Sequence, residues 1–306
     1  MSLTRKLVLA FLLVNVVPLG VTIWVSHQTF AEHAEQQVGT RLEDGVVQVG
    51  KAIVEFMLSC MRGMRDLAED PELVSEDRDG ANIDLARYIH SFPYFSQVRF
   101  VNALGTVVAS SQAGEIGSSL FARFDNVRDE SRQAFHDAPG LVYISDFAVV
   151  SDALRRAAAP DRLKFIALGI EMLTTVQDAS GHVVGVVVGD LIAEPMGTLL
   201  HDVKRQTRGD GSACLLDVQG RVLMSTDSKA SLLFAHPDVT QGALQPALTD
   251  QASGYVVYGA PHGRKWMAAY THLKDRGGNH AGNWRLITSA PYGAPSWSRS
   301  RGRLAE

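Results

Sequence analysis

The sequence is poor in the residues that usually announce chemistry. Of 306 residues only two are cysteines, Cys60 and Cys214. They fall in segments predicted to belong to different units, so both read as unpaired packing residues rather than a disulfide. The histidines are scattered, and none forms H-E-x-x-H or a paired Cys/His cluster, so no metal site is expected. Ser145 in "YISDF" and Ser212 in "DGSAC" lack the G-x-S-x-G elbow of a serine hydrolase. No phosphate-cradling glycine loop follows a strand, and "RGDGS" reads as a turn. Catalysis and a bound cofactor are therefore not expected. An excess of one charge is lacking too: the formal net charge is −4 and the sequence pI about 6.2. Bulk electrostatics thus gives no reason for a nucleic-acid partner, and the basic end "SRSRGR" reads as a solvated tail.

What is present is membrane-like at one end and globular beyond it. Residues Leu7 to Val25, "LVLAFLLVNVVPLGVTIWV", carry no charge over about 19 positions, enough to cross a hydrocarbon core of roughly 30 Å at 1.5 Å per residue. Arg5 and Lys6 precede the run, so the positive-inside rule puts the N-terminus in the cytoplasm and the body outside. A cleavable secretory signal is the alternative, and it also exports the folded part. The remaining chain, with 46% hydrophobic and 20% charged residues overall, has an ordinary globular composition and length for about two domains.

From Phe30 the apolar positions Ala34, Val38, Leu42, Val46, Val49, Ile53, Phe56, Cys60, Met64 and Leu67 follow in steps of three or four, which predicts one long helix. Its stripe can serve its own domains or a second copy. Pro71 and the charged run "EDPELVSEDRDG" end it, and a short helix is expected over Ile83–Ser91. "SQVRFVNALGTVVASS" then reads as strand, turn, strand, and "YISDF" (Tyr143 to Phe147) as a third strand. "KFIALGIEMLTTVQD" and "HVVGVVVGDL" form a longer hairpin. In its first arm Ile166, Leu168, Ile170, Met172 and Val176 share one face and Glu171 and Gln177 the other, which predicts a sheet with one core face and a wet one. After a helix opened by Pro195 the order restarts with "SACLLDVQGRVLMS", "GYVVYG", "KWMAAYTHL" and "WRLITSAP". Asn102, Asp178 and Asp217 each stand three residues before a glycine and then an apolar run. Two tandem copies of one α+β unit explain the three turns, two opening a sheet and one closing the first.

With the apolar run, the long helix, "VNALGTVVAS", "GLVYISDF", "VQDASGHVVGVVVGDL", "ACLLDVQGRVLMS", "MAAYTHL" and "NWRLITSAP" in this order, the chain resembles the double-Cache extracytoplasmic sensor domains of bacterial chemoreceptors, histidine kinases and diguanylate cyclases. The resemblance implies an α+β fold in which two tandem PAS-like antiparallel five-stranded sheets lie along a long N-terminal helix, preceded by one transmembrane helix. It divides the chain into a cytoplasmic N-terminus and transmembrane helix (1–28), a stalk helix (29–70), a membrane-distal unit (80–192), a connecting helix (193–207), a membrane-proximal unit (208–292) and a disordered tail (293–306). It implies a periplasmic domain held by a single pass through the inner membrane, a polar or carboxylate-bearing ligand such as an amino acid or organic acid in the distal unit, signalling through the long helix, and room for a homodimer. The alternative is a membrane-anchored solute-binding protein without signalling output. "PYGAPSWSRSRGRLAE" has no apolar run that would return to the membrane, as family members usually do.

Amino-acid-binding members of that family carry R-x-W-Y, a later Tyr and an Asp that closes a "G-D" strand, in which Arg holds a carboxylate and Asp an ammonium. "RDES" (Arg128 to Ser131) keeps only the Arg, whereas Tyr143 and Asp190 fit the later positions. Asp190 ends a strongly apolar strand, where a carboxylate must find a donor or face water. Asp146 and Glu171 lie within strands. The candidate ligand-binding residues are thus Arg128, Tyr143, Asp146, Glu171 and Asp190.

Overall fold

The computed structural model describes residues 3–74, 78–120, 142–144, 148–149, 168–206, 211–217, 220–226, 252–259, 265–273 and 284–292. The side chains of residues 3–10, 12–17, 27–28 and 31–32 lie outside the description, as does the expected tail at 293–306. One helix, α1 (Leu3–Ala68), runs through both the apolar segment and the predicted stalk. No break occurs near residue 28, because residues 24–38 contain neither Gly nor Pro to punctuate the helix. Pro18 lies inside α1, and Thr22 Oγ1 donates to the Pro18 carbonyl at 2.8 Å. The stripe is buried from Leu42 onward at Val46, Val49, Ile53, Cys60, Met64 and Leu67, while Phe30 and Val38 stay exposed. Beyond Ala68, Asp70 accepts a hydrogen bond from the Glu72 amide at 3.0 Å and Pro71 opens a short 3-10 turn. α2 (Arg78–Ser91) starts earlier than its apolar residues suggested and buries Ala81 and Leu85.

The first sheet contains β1 (Phe95–Asn102), β2 (Val107–Ser110), β3 (Val142–Ile144), β4 (Ala148–Val149), β5 (Leu168–Gln177) and β6 (Val183–Ile192). Its order is β2-β1-β6-β5-β3, and β4 also pairs with β5. β3 and β4 occupy successive stretches of the outer edge of β5, so the sheet is five strands wide. After α3 (Glu194–Gln206), which buries Met196, Leu200 and Val203, comes the second sheet. It comprises β7 (Ser212–Leu216), β8 (Val222–Ser225), β9 (Ser253–Gly259), β10 (Lys265–Leu273) and β11 (Trp284–Tyr292), in the order β8-β7-β11-β10-β9. Position for position this repeats the first: an opening hairpin, then the last strand inserted beside the first. The expected duplication is present as two antiparallel sheets of one topology.

The three recurrent turns share one chemistry. Asn102 Oδ1 accepts from the amides of Leu104 and Thr106, Asp178 Oδ1 from those of Ser180 and His182, and Asp217 Oδ1 from that of Arg221. In each turn the glycine amide donates to the Asx carbonyl, from Gly105, Gly181 and Gly220 respectively. All three glycines have φ near +80°, between 79° and 83°, a region that a side chain disfavours. The amides of His182 and then Ser180 hold the Asp178 carboxyl below its ordinary range despite an opposing desolvation.

α1 packs on both sheets. A Cβ at Gly39 would sit 2.4 Å from the Tyr255 ring, and one at Gly50 would sit 2.8 Å from Leu273 Cδ2. Toward its C-terminal end, Met64 Sδ would meet a Cβ at Gly189 of β6 at 2.8 Å. Ser253 Oγ of β9 also donates to Glu43 of α1 at 2.7 Å. The main apolar cluster consequently runs without interruption from Phe95, Val187 and Leu191 of the first sheet along α1 to Leu215, Met267 and Leu286 of the second. Cys60 and Cys214 are both free thiols, and burial pushes each up to about 12.

One expectation changes. The face of the first sheet away from α1 is not a wet surface: Val101, Val107, Leu120, Tyr143, Leu173, Val186 and Val188 form a second buried cluster there. Valines at consecutive positions 186, 187 and 188 fill both faces of a central strand, the pattern of a sheet covered on each side.

Candidate functional site

Strand register places the polar residues of that second face. Gln97 of β1 and Glu171 of β5 both stand opposite Asp190 of the intervening β6. In the adjacent row, Ser110, Arg99, Val188, Leu173 and Tyr143 succeed one another across the sheet. Gln97, Arg99, Glu171 and Asp190 are all buried, with Arg99 only 2% exposed. Buried charges in a sheet are tolerated when they are paired and hydrogen-bonded. Arg99 meets that condition in part. Its Nη2 donates to Asp190 Oδ1, and its Nη1 lies 3.5 Å from Glu115 Oε2. Its Nε is buried without a hydrogen-bond acceptor among the described residues.

Around this pair the geometry is anchored by neutral groups. Gln97 Nε2 donates to Ser110 Oγ at 3.3 Å, and the Ser110 amide donates to Asn82 Oδ1 of α2 at 2.8 Å. Ser96 Oγ donates to the Asp190 carbonyl at 3.2 Å. Burial raises the Asp190 carboxyl above its ordinary range, Arg99 pulls it the other way, and Glu115 adds to the rise. In the second sheet, by contrast, Arg221 and Asp217 pair at 2.6 Å across a turn rather than on the sheet face.

Of the residues the sequence nominated, Tyr143, Glu171 and Asp190 lie on this one face, within two adjacent rows. Glu171 is buried, not on the wet surface its alternation suggested, because the face it occupies is a covered one. Arg128 and Asp146 lie outside the described residues. Sequence reasoning missed Arg99, Gln97 and Glu115. The available signal was "QVRF", where an amide and a cation alternate with Val98 and Phe100 in a strand that proves to be central.

This arrangement, two sheets of one topology along a single N-terminal helix, is the double-Cache fold. Among solved structures, the sensory domain of the Campylobacter jejuni chemoreceptor Tlp3 matches with a TM-score of 0.61 and 13% identity, over 86% of this chain and 98% of that one. The ligand-binding domain of the Pseudomonas aeruginosa amino acid chemoreceptor PctC, in complex with GABA, matches with a TM-score of 0.55 and 17% identity, over 82% of this chain and 99% of that one. An extracellular ligand binding receptor from Desulfohalobium retbaense matches with a TM-score of 0.55 and 15% identity over 80% of this chain, which spans 39% of that receptor's length. No protein-family model matches the sequence, and none of the curated proteins compared with it matches.

Proposed function

We propose that the chain is an extracytoplasmic sensing domain that binds a small polar or carboxylate-bearing solute on the covered face of its first sheet. The observation that carries this reading is the buried constellation of Arg99, Asp190 and Glu171 beside an apolar half-face. Buried charge of this density costs stability, and a ligand site is a common reason for such a cost to be retained. Residues 80–192 would form the membrane-distal unit, 193–207 the connector and 208–292 the proximal unit. Arg128 and Asp146 are proposed to complete the site from segments flanking β3. The fold's occurrence in domains crystallised with isoleucine and with GABA supports a solute of amino-acid or organic-acid size.

The N-terminal part of α1 is proposed to pass once through the inner membrane, with the sheets in the periplasm. Phe11, Leu19, Ile23 and Trp24 are each more than half exposed, an apolar helix surface that lipid would cover. Among the described residues alone, no helix is long and apolar enough to cross a membrane. A homodimer through α1 would draw on Phe30 and Val38, the stripe members its own sheets leave uncovered.

The test is a thermal-shift screen of the full chain in detergent against amino acids, organic acids, amines and purines. At least one class should raise the melting temperature, and Asp190→Asn should diminish that rise. A screen with no hits, or hits indifferent to Asp190→Asn, would count against the assignment.

A further inference from the structure

We propose that the second sheet carries a solute site of its own, on the face away from α1, and that it takes an uncharged planar ring with neighbouring N–H and C=O groups, a cyclic amide of the pyrimidinone type. Strand register defines the place. One row across the sheet is Ser212, Ser289, Ala268 and Val256, and the next is Pro291, Trp266 and Tyr258. Ala268, Val256 and Tyr258 belong to an apolar cluster separate from the one along α1.

The duplication makes this face equivalent to the covered face of the first sheet, yet the two are closed to different degrees. On the first, Val101, Leu173, Val186 and Val188 are each 0% exposed. On the second, Ser212, Val256, Tyr258 and Trp266 are only half-buried. A solute can reach this corner without displacing a packed core.

Three hydroxyls meet there. Ser289 Oγ lies 2.9 Å from Ser212 Oγ and also bonds the Tyr258 hydroxyl, which burial holds above its ordinary range and Ser289 draws back. To reach from β9 to β11, the Tyr258 side chain must cross Ala268 of the intervening strand, where a methyl group leaves space for its ring. Held at both ends, that ring is a fixed flat surface beside Trp266. Such a surface stacks on another planar ring with little loss of rotamer freedom.

The polar edge of the ligand follows from the hydroxyls. Each can donate once and accept twice. Among the described residues Ser212 and Tyr258 each bond only Ser289, so both retain capacity toward a solute, one to donate and the other to accept. An N–H beside a C=O matches that pair. Charge has no such match: on this face, among the described residues, it begins two rows away at Arg285, whose Nε donates to His272 Nε2 at 3.1 Å. An ion here would lose water without gaining a counter-charge.

The experiment is calorimetric titration of the full chain in detergent with uracil, beside dihydrouracil, N,N′-dimethyluracil and orotate, which lack the flat ring, the N–H groups and neutrality respectively. Uracil should bind, dihydrouracil and dimethyluracil each about tenfold more weakly, and orotate should give no heat. Uracil should also quench the emission of the chain but not that of Trp266→Phe, which keeps a ring for stacking. Tyr258→Phe leaves the ring over Ala268, so it should keep its melt and lose about tenfold in affinity, as should Ser212→Ala. Asp190→Asn should change none of these affinities. Failure of uracil to bind, or full affinity in folded Tyr258→Phe and Ser212→Ala, overturns the site, and orotate outbinding uracil overturns the choice of a neutral ligand. Affinity lost in Asp190→Asn but kept in Tyr258→Phe would assign uracil to the first sheet, so that this inference falls while the sensing reading stands.

Discussion

A guanidinium and a carboxylate buried on adjacent strands depend on one another far more than a surface pair would. Removing Arg99 alone leaves Asp190 buried without its cation, and breaking a buried pair in this way costs about 3–5 kcal/mol. Arg99→Ala should therefore lower the denaturation midpoint severely, whereas Arg99→Met/Asp190→Leu, which removes both charges, should restore most of it. Equal loss in the single and double variants would show that packing, not charge, sets the cost. The thiols give a second residue-scale prediction. Cys60 and Cys214 ionise near 9.0 when unfolded but only near 12 when folded. Their neutral forms are favoured by the fold, so their contribution is complete below pH 9 and is lost as pH rises toward 12. Alkaline unfolding should begin in that window and shift upward in Cys60→Ala/Cys214→Ala. A thiol reagent at neutral pH should spare the fully buried Cys60 until the chain unfolds, whereas Cys214, only half-buried, should be the first to react. Asp190 acts with the same sign in the acid range: its raised carboxyl favours the fold most below 3.8, and that advantage fades as pH climbs above it. Asp190 was legible in the sequence because an acid at the end of a valine run has few ways to be satisfied. Arg99 was not, since a polar residue alternating with apolar ones reads by default as solvent-facing, and only the cover on the second face makes it internal.

At the scale of elements, glycines in α1 act as notches. Gly→Ala in a helix ordinarily gains up to about 1 kcal/mol of propensity. At Gly39, however, three atoms of the rigid Tyr255 ring would lie within 2.6 Å of the new methyl, and overpacking of that kind costs about 1–3 kcal/mol. Gly39→Ala should thus destabilise, and Gly39→Ala/Tyr255→Leu should recover. At Gly50 the obstructions are the ends of Leu273 and Thr271, which can rotate away, so Gly50→Ala should fall nearer to neutral. Chemical denaturation of the three variants decides the matter. Turns and strand pairs were legible because Asx-x-x-Gly is a local device: the side chain bonds its own following amides and needs nothing distant. The helix register against the sheets was less legible, because it depends on where small residues meet bulky ones far away in sequence.

For the molecule as a whole, the shared cluster along α1 ties the two sheets into one folding unit. Urea unfolding monitored by the fluorescence of Trp266 and Trp284 in the second sheet, with Trp24 and Trp297 replaced by Phe, and by far-ultraviolet dichroism should therefore give one coincident transition rather than two. Separate midpoints would indicate that each sheet stands on its own half of the helix. The duplicated topology was legible from the order of strand signals. The coupling of the sheets was not, because it arises from one helix burying different parts of the same stripe against each.

That helix carries a mechanical implication. Sixty-six residues without a break make a rod about 100 Å long, and Gly189, against which Met64 rests, is the immediate chain neighbour of Asp190. If a solute binds that face as proposed, the strand it touches has no loop between it and the helix to absorb a shift. A stiff body of that length would then carry the shift toward its far end as one displacement, small in amplitude.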